Sequence, residues 1–305
     1  EFDIHSKQRK LLGKGSLAKP SPDGQWVAYI QGKNKDAQLW VMKIDGTGHK
    51  QLTSFAQGLM KSNFYNDFAW SLDSKQIALI YRPYTPYWEN KIPEASTINL
   101  INITTVQIKQ IATIDGSLRY FSWLPNGKEL LYVKERIGDL YHEPFDNEWV
   151  QSINVQDGTI KTLTTFNGLQ QRLQPSASPD GKSIALMYDA DVQFFDCMTS
   201  LGIIPANHVD SKVARITHEM KLFAPRWSND AKHIFVQRDY GAYSQIFLLN
   251  IKTGKLSQIT HAPLNIENYA LSPNGEKLVW VGSNAHGAQF LQVAQSDGSR
   301  VEDLL

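Results

Sequence analysis

The sequence has one cysteine, Cys197, so no internal disulfide can brace the fold, and it follows the run Phe194-Phe195-Asp196 in the manner of a structural thiol. No stretch approaches the roughly 18 to 20 uninterrupted apolar residues that a membrane-spanning helix needs. Charge of one sign is equally scarce: formal net charge is +1 with acids and bases interspersed, which recommends neither nucleic acid nor an anionic membrane as partner. Short catalytic signatures are missing too. The serines lie outside any G-x-S-x-G context, phosphate-loop and dinucleotide fingerprints are absent, and the eight histidines form no H-E-x-x-H or H-x-H pair. The expectation is therefore no cofactor, no metal and no direct nucleic-acid binding.

What is present is a repeat. Ser21-Pro22-Asp23-Gly24 returns as Ser71-Leu72-Asp73-Ser74, Leu124-Pro125-Asn126-Gly127, Ser178-Pro179-Asp180-Gly181, Ser228-Asn229-Asp230-Ala231 and Ser272-Pro273-Asn274-Gly275, at steps of 50, 53, 54, 50 and 44 residues. Steps of that size mark a repeated supersecondary unit. The third position is Asp or Asn, whose side chain bonds the backbone two residues on, and four copies have Gly fourth, where a left-handed conformation costs little. Each turn is followed by a short apolar run such as Trp26–Ile30 or Lys182–Tyr188, and four strands fit between successive turns. With 42% hydrophobic residues and ample aromatics, this predicts an all-β chain: a six-bladed β-propeller of four-stranded antiparallel blades. It is read as one domain over 1–305, with blades near 13–60, 61–115, 116–168, 169–218, 219–263 and 264–305. Residues 1–12 are either a strand on the outer rim of the last blade, competing there with Arg300–Leu304, or the remnant of an upstream segment.

The texts PSPDGQWVAYI at 20–30, ASPDGKSIALMY at 177–188 and LSPNGEKLVWV at 271–281, with weaker copies at 70–80, 123–133 and 227–237, resemble the TolB-like six-bladed propeller repeat. The same repeat occurs in the non-catalytic propellers of prolyl-oligopeptidase-type proteins. The likeness covers nearly the whole chain. It implies a propeller that recognises proteins, in a periplasmic or otherwise extracytoplasmic setting, either free or as part of a bacterial sensor, regulator or envelope protein.

The departures from the repeat carry the functional expectation. The connection at 82–95, RPYTPYWENKIPEA, holds Tyr84, Tyr87 and Trp88, and its prolines exclude a central strand; the one at 134–147 holds Tyr141, His142 and Phe145. Both join the second and third strands of neighbouring units, so they are expected to rise from one face. A protein- or peptide-binding surface would use those six aromatic and histidine side chains with Glu89, Lys91 and Arg136 among its polar rim. A small ligand at the channel mouth is the other partner considered. Two alternatives stand: a channel-mouth enzyme, a lyase or glycan-acting hydrolase, drawing on Asp67, Arg119, His142, Arg172, Lys221, Arg226 and Glu267, and an architectural module of a larger protein. The turn aspartates Asp23, Asp73, Asp180 and Asp230 are read as turn formers. Trp70, Trp123 and Trp227 share a register position and should pack between blades, with their indole N–H groups needing partners. In the fourth unit Val192–Cys197 is read as the third strand, with Met198–Ser211 as an insertion before the fourth, where Gly202→Ala should cost less than Gly181→Val.

Overall fold

A computed structural model describes residues 10–59, 68–82, 95–135, 148–166, 173–189, 199–217 and 220–304. They form six antiparallel sheets, each of four consecutive strands, the blades of a six-bladed β-propeller. The sheets span 16–51, 68–115, 117–166, 174–215, 222–258 and 265–303. They fall into two compact units, 1–169 and 170–305, with three blades in each.

The turn repeat has the chemistry its sequence implies. Ser178 Oγ donates to Asp180 Oδ1 at 2.6 Å, Asp180 Oδ1 accepts the Lys182 N–H at 3.1 Å, and Ser178 Oγ accepts the Ser183 N–H at 3.0 Å. The copies at Ser21, Ser71, Ser228 and Ser272 share the serine-to-third-residue bond, whereas Leu124 has no hydroxyl and Asn126 alone receives Lys128 and Glu129 N–H. The fourth residue is left-handed in all six copies, including the non-glycines Ser74 (φ 60°) and Ala231 (φ 55°). The serine hydroxyl bond, foremost, holds the carboxyls of Asp23, Asp73, Asp180 and Asp230 below the ordinary value of 3.8. A depressed folded-state pKa gives stability that is present above the unfolded value and lost as pH falls through the folded one. Urea midpoints should therefore hold above about pH 5 and decline below about pH 4. Asp180→Asn, which copies Asn274 of the sixth turn, should stay folded with a shallower acid limb.

Because neighbouring blades cover both faces of a sheet, the second strands are continuous apolar runs. In Gln76–Tyr81, Ile77 and Leu79 pack with Leu39 and Val41 of the first blade, while Ala78 and Ile80 pack with Leu130 and Tyr132 of the third. The tryptophans bridge blades as anticipated: Trp70 Nε1 donates to Lys19 O at 3.0 Å, Trp123 Nε1 to Ala69 O at 3.2 Å and Trp227 Nε1 to Ser176 O at 2.9 Å. Each indole thus meets the preceding blade's first strand, at the residue just before the shared register position.

The turns between third and fourth strands also repeat. Asn102, Asn154 and Asn250 each accept through the backbone carbonyl from the residue four on, and that residue is left-handed. It is Gly158 and Gly254 in two copies but Val106, φ 60°, in the other. A β-branched residue is strained there. Val106→Gly should raise stability by about 1 kcal/mol, net of some lost packing, and thermal unfolding would show it as a higher midpoint.

The expectation for the fourth blade is corrected. The third strand of the fourth blade is Thr199–Pro205, paired with Ser183–Asp189, and the eight residues 206–213 precede the fourth strand, Ala214–Arg215. Leu201 and Ile204 are fully buried, so burial overrides Gly202 and Pro205, which read as loop punctuation. A Cβ on Gly202 would stand 2.3 Å from Val213 Cγ1 and 3.1 Å from Ala214 O, so Gly202→Ala is not a mild change. Residues 192–197 lie outside the described residues. At the N-terminus, Lys10 Nζ donates to Asp45 O and Leu12 packs on Tyr29 and Met42, so residues 10–12 follow the first blade; residues 1–9 are outside the description. The last sheet takes its fourth strand from Glu302–Asp303.

The fourth strands differ in length. They have two or three residues in four blades, but eight in the second, Ile108–Asp115, and seven in the third, Ile160–Phe166. Both long edges carry a bulge, with Ile111 and Leu163 as the extra residues at the same offset. Leu163 is fully buried by it and Ile111 packs against the core between the second and third blades.

Candidate functional site

Tyr84, Tyr87, Trp88, Glu89, Lys91, Arg136, Tyr141, His142 and Phe145 all lie outside the described residues, as do Asp67 and Arg172. What is described is where their segments leave and rejoin the sheets. The segment from 83 to 94 runs between Gln76–Tyr81 and Ala95–Asn102, and that from 136 to 147 between Glu129–Glu135 and Glu148–Asn154, so both join second to third strands.

These junctions converge on one strand, Ser117–Trp123, the first of the third blade. Ser117 pairs with Glu135 and Glu135 with Glu148, so the two carboxylates face each other directly across the sheet, a repulsive arrangement in isolation. Arg119, two residues beyond Ser117 and on the same face, resolves it: Nε lies 2.6 Å from Glu135 Oε1 and Nη2 lies 2.5 Å from Glu148 Oε1. Arg119 and Glu148 are each 1% exposed. Removal of charge from water is offset only where pairing is close, and one guanidinium here serves two carboxylates. Arg82, immediately before the first segment and itself buried, donates through Nη1 to Ser117 Oγ at 3.0 Å. On the opposite face the Lys134 ammonium sits 5.3 Å from the Trp149 ring centre.

Gly116 alone links the second blade to this strand. Its φ is +100°, its carbonyl accepts Ser96 Oγ at 2.9 Å, and a Cβ there would lie 2.3 Å from Glu135 O. Only glycine lets the chain pass so close to the end of the neighbouring strand. Arg119, considered above for catalysis, is engaged as a structural cation, while Lys221, Arg226 and Glu267 are exposed.

An open cavity of about 470 Å³ lies on the first blade, lined by Gln31, Gly32, Lys35, Asp36, Gln38, Trp40, Gln51, Ser54, Phe55 and Ala56. Phe55 stacks on Tyr81, centres 3.9 Å apart and planes 16° apart, so the cavity adjoins the strand end from which the 83–94 segment departs. Sequence reasoning missed this cavity because its aromatic side chains come from regular positions and its connection, 32–37, is short. The contrast of polar Gln38 and Gln51 with the apolar third strand was the available signal.

Comparison with known proteins places the fold among propellers. No family model matches the chain. Dipeptidyl-peptidase 5 of Porphyromonas gingivalis is 24% identical over 158 residues, half of this chain and 22% of that protein, so the match spans about a fifth of the curated relative. TolB from Acinetobacter baumannii superposes with a TM-score of 0.60 at 20% identity, covering 93% of this chain and 64% of that one. Oligogalacturonate lyase from Vibrio parahaemolyticus superposes with a TM-score of 0.69 at 13% identity, over 93% of this chain and 75% of that one. At such identities the likeness is one of fold, and this fold hosts unrelated functions.

Proposed function

We propose that the chain is a non-catalytic recognition propeller that binds a protein or peptide, acting outside the bacterial cytoplasm within a sensor, regulator or envelope assembly. The observation that carries this reading is the convergence of both insertion junctions on Ser117–Trp123: Arg82 through Ser117, and Glu135 with Glu148 through Arg119. Ordering a long loop is entropically costly, and tying the flanking residues to a buried charge cluster fixes the points from which each segment starts and to which it returns. Tyr84, Tyr87, Trp88, Tyr141, His142 and Phe145 would then supply contact area with few torsions to freeze, and Glu89, Lys91 and Arg136 the polar rim. The likeness of fold to TolB agrees with this role and with an extracytoplasmic setting.

The test starts with a partner captured from an envelope extract on the parent chain. The Tyr87→Ala/Trp88→Ala double variant and Tyr141→Ala should keep the parent's unfolding midpoint and each weaken that complex by more than about 1 kcal/mol. Unchanged affinity in both folded variants would sink the proposal. Steady eliminative cleavage of oligogalacturonate by the purified chain would replace it with the enzyme reading.

A further inference from the structure

Beyond that reading, we infer that the first-blade cavity is a separate binding site for a neutral saccharide. Its framework is fixed from beneath. Gln38, 8% exposed, donates through Nε2 to Phe55 O at 2.8 Å and accepts at Oε1 from Thr53 Oγ1 at 2.8 Å and Phe55 N–H at 3.1 Å, which locks the 53–55 wall. Gln51 Nε2 adds bonds to Thr53 O and Ser54 Oγ. The wall is therefore held before any ligand arrives, and the half-buried Trp40 ring packs against the cluster of Val27, Tyr29 and Met42.

The groups left over select the ligand. Gln31 Nε2 and Gln51 Oε1 are uncommitted among the described residues, giving a planar amide donor and a planar amide acceptor at one mouth; the Trp40 indole N–H also has no partner there. Trp40 and Gln51 are paired across the strands, so ring and amide share one face. An aromatic plane beside amide groups fits a pyranose, whose C–H face stacks on the ring while its hydroxyls both give and accept hydrogen bonds. Lys35 and Asp36 at the rim cancel in charge, which favours a neutral ligand over a phosphate or a polyanion. The volume suits one or two sugar rings, within the usual range of small-ligand sites of about 300 to 1,000 Å³.

The test is titration with maltose, cellobiose and lactose, followed through the indole N–H resonance of Trp40, which is assigned by its loss in Trp40→Phe. At least one of these sugars should shift that resonance saturably, and inorganic phosphate should not. Trp40→Ala, which lacks the probe and is followed by titration calorimetry beside the parent, should weaken binding about ten-fold, and Gln31→Ala, at an exposed position, by about three- to five-fold. If Trp40→Ala does not fold, Gln31→Ala decides alone. The inference is overturned if none of the sugars moves the Trp40 resonance, if phosphate moves it equally, or if the folded variants bind as the parent does. Capture of a protein partner should be unaffected in the Gln31 variant, so the two readings fail separately.

Discussion

Arg119→Ala is expected to lower folding stability by about 3 to 5 kcal/mol, because it removes the guanidinium that bridges buried Glu148 and the facing Glu135. That is a large part of the stability of an ordinary domain. The cost includes the repulsion between two facing carboxylates and not the lost contacts alone. Arg119→Ala combined with Glu148→Ala should therefore cost less than the sum of the two single changes, and urea midpoints for the four proteins give the coupling directly. Additivity would mean that the guanidinium and the carboxylate are stabilised independently. Arg119→Lys should recover little, since a single ammonium cannot present two separate N–H directions to two carboxylates.

Gly116→Ala carries the second large effect, about 3 kcal/mol or more. The new methyl meets a main-chain oxygen, Glu135 O, at 2.3 Å, and neither that strand nor the one-residue link can yield without breaking pairs at the start of the third blade. Gly24→Ala is the control. Gly24 is also left-handed, φ 70°, but nothing lies within 4 Å of an added Cβ, so it should cost only about 1 kcal/mol of backbone strain. Equal losses would show that the steric contact at Gly116 relaxes away. A parallel fall in partner binding by folded Gly116→Ala would tie this link to the placement of the two insertions.

The elements that could be read from sequence are those whose cause is local. An Asp or Asn and a left-handed fourth residue, with a leading serine in five copies, make the turn within six residues, so all six copies are legible, even where Ser74 and Ala231 replace glycine. The bridging tryptophans followed from register. Thr199–Pro205 was misread because local rules weigh Gly202 and Pro205 as breakers, whereas its strand state comes from burial against distant elements. The Arg119 cluster joins residues 16 and 29 positions apart, and its one sequence trace is a glutamate on either side of the 136–147 segment. Left-handed Leu17, Tyr120 and Ala224 in first strands left no trace, since no glycine marks them. In the last case the neighbouring blade supplies the compensation, with Tyr269 donating its hydroxyl to Ala224 O.

The bulges of the two long fourth strands bear on how this protein behaves in crowded solution. An edge of seven or eight residues is long enough to recruit the edge of another molecule, and Ile108 and Ile160, both exposed, would add apolar attraction to such a pairing. Ile111 and Leu163 break each edge a few residues in, shortening the stretch on which hydrogen bonds could run in register between molecules. Where the fourth strand has only two or three residues, no such interruption is needed. The same two inward-turned residues would thus also limit edge-to-edge growth, so deleting either one should show first as concentration-dependent aggregation.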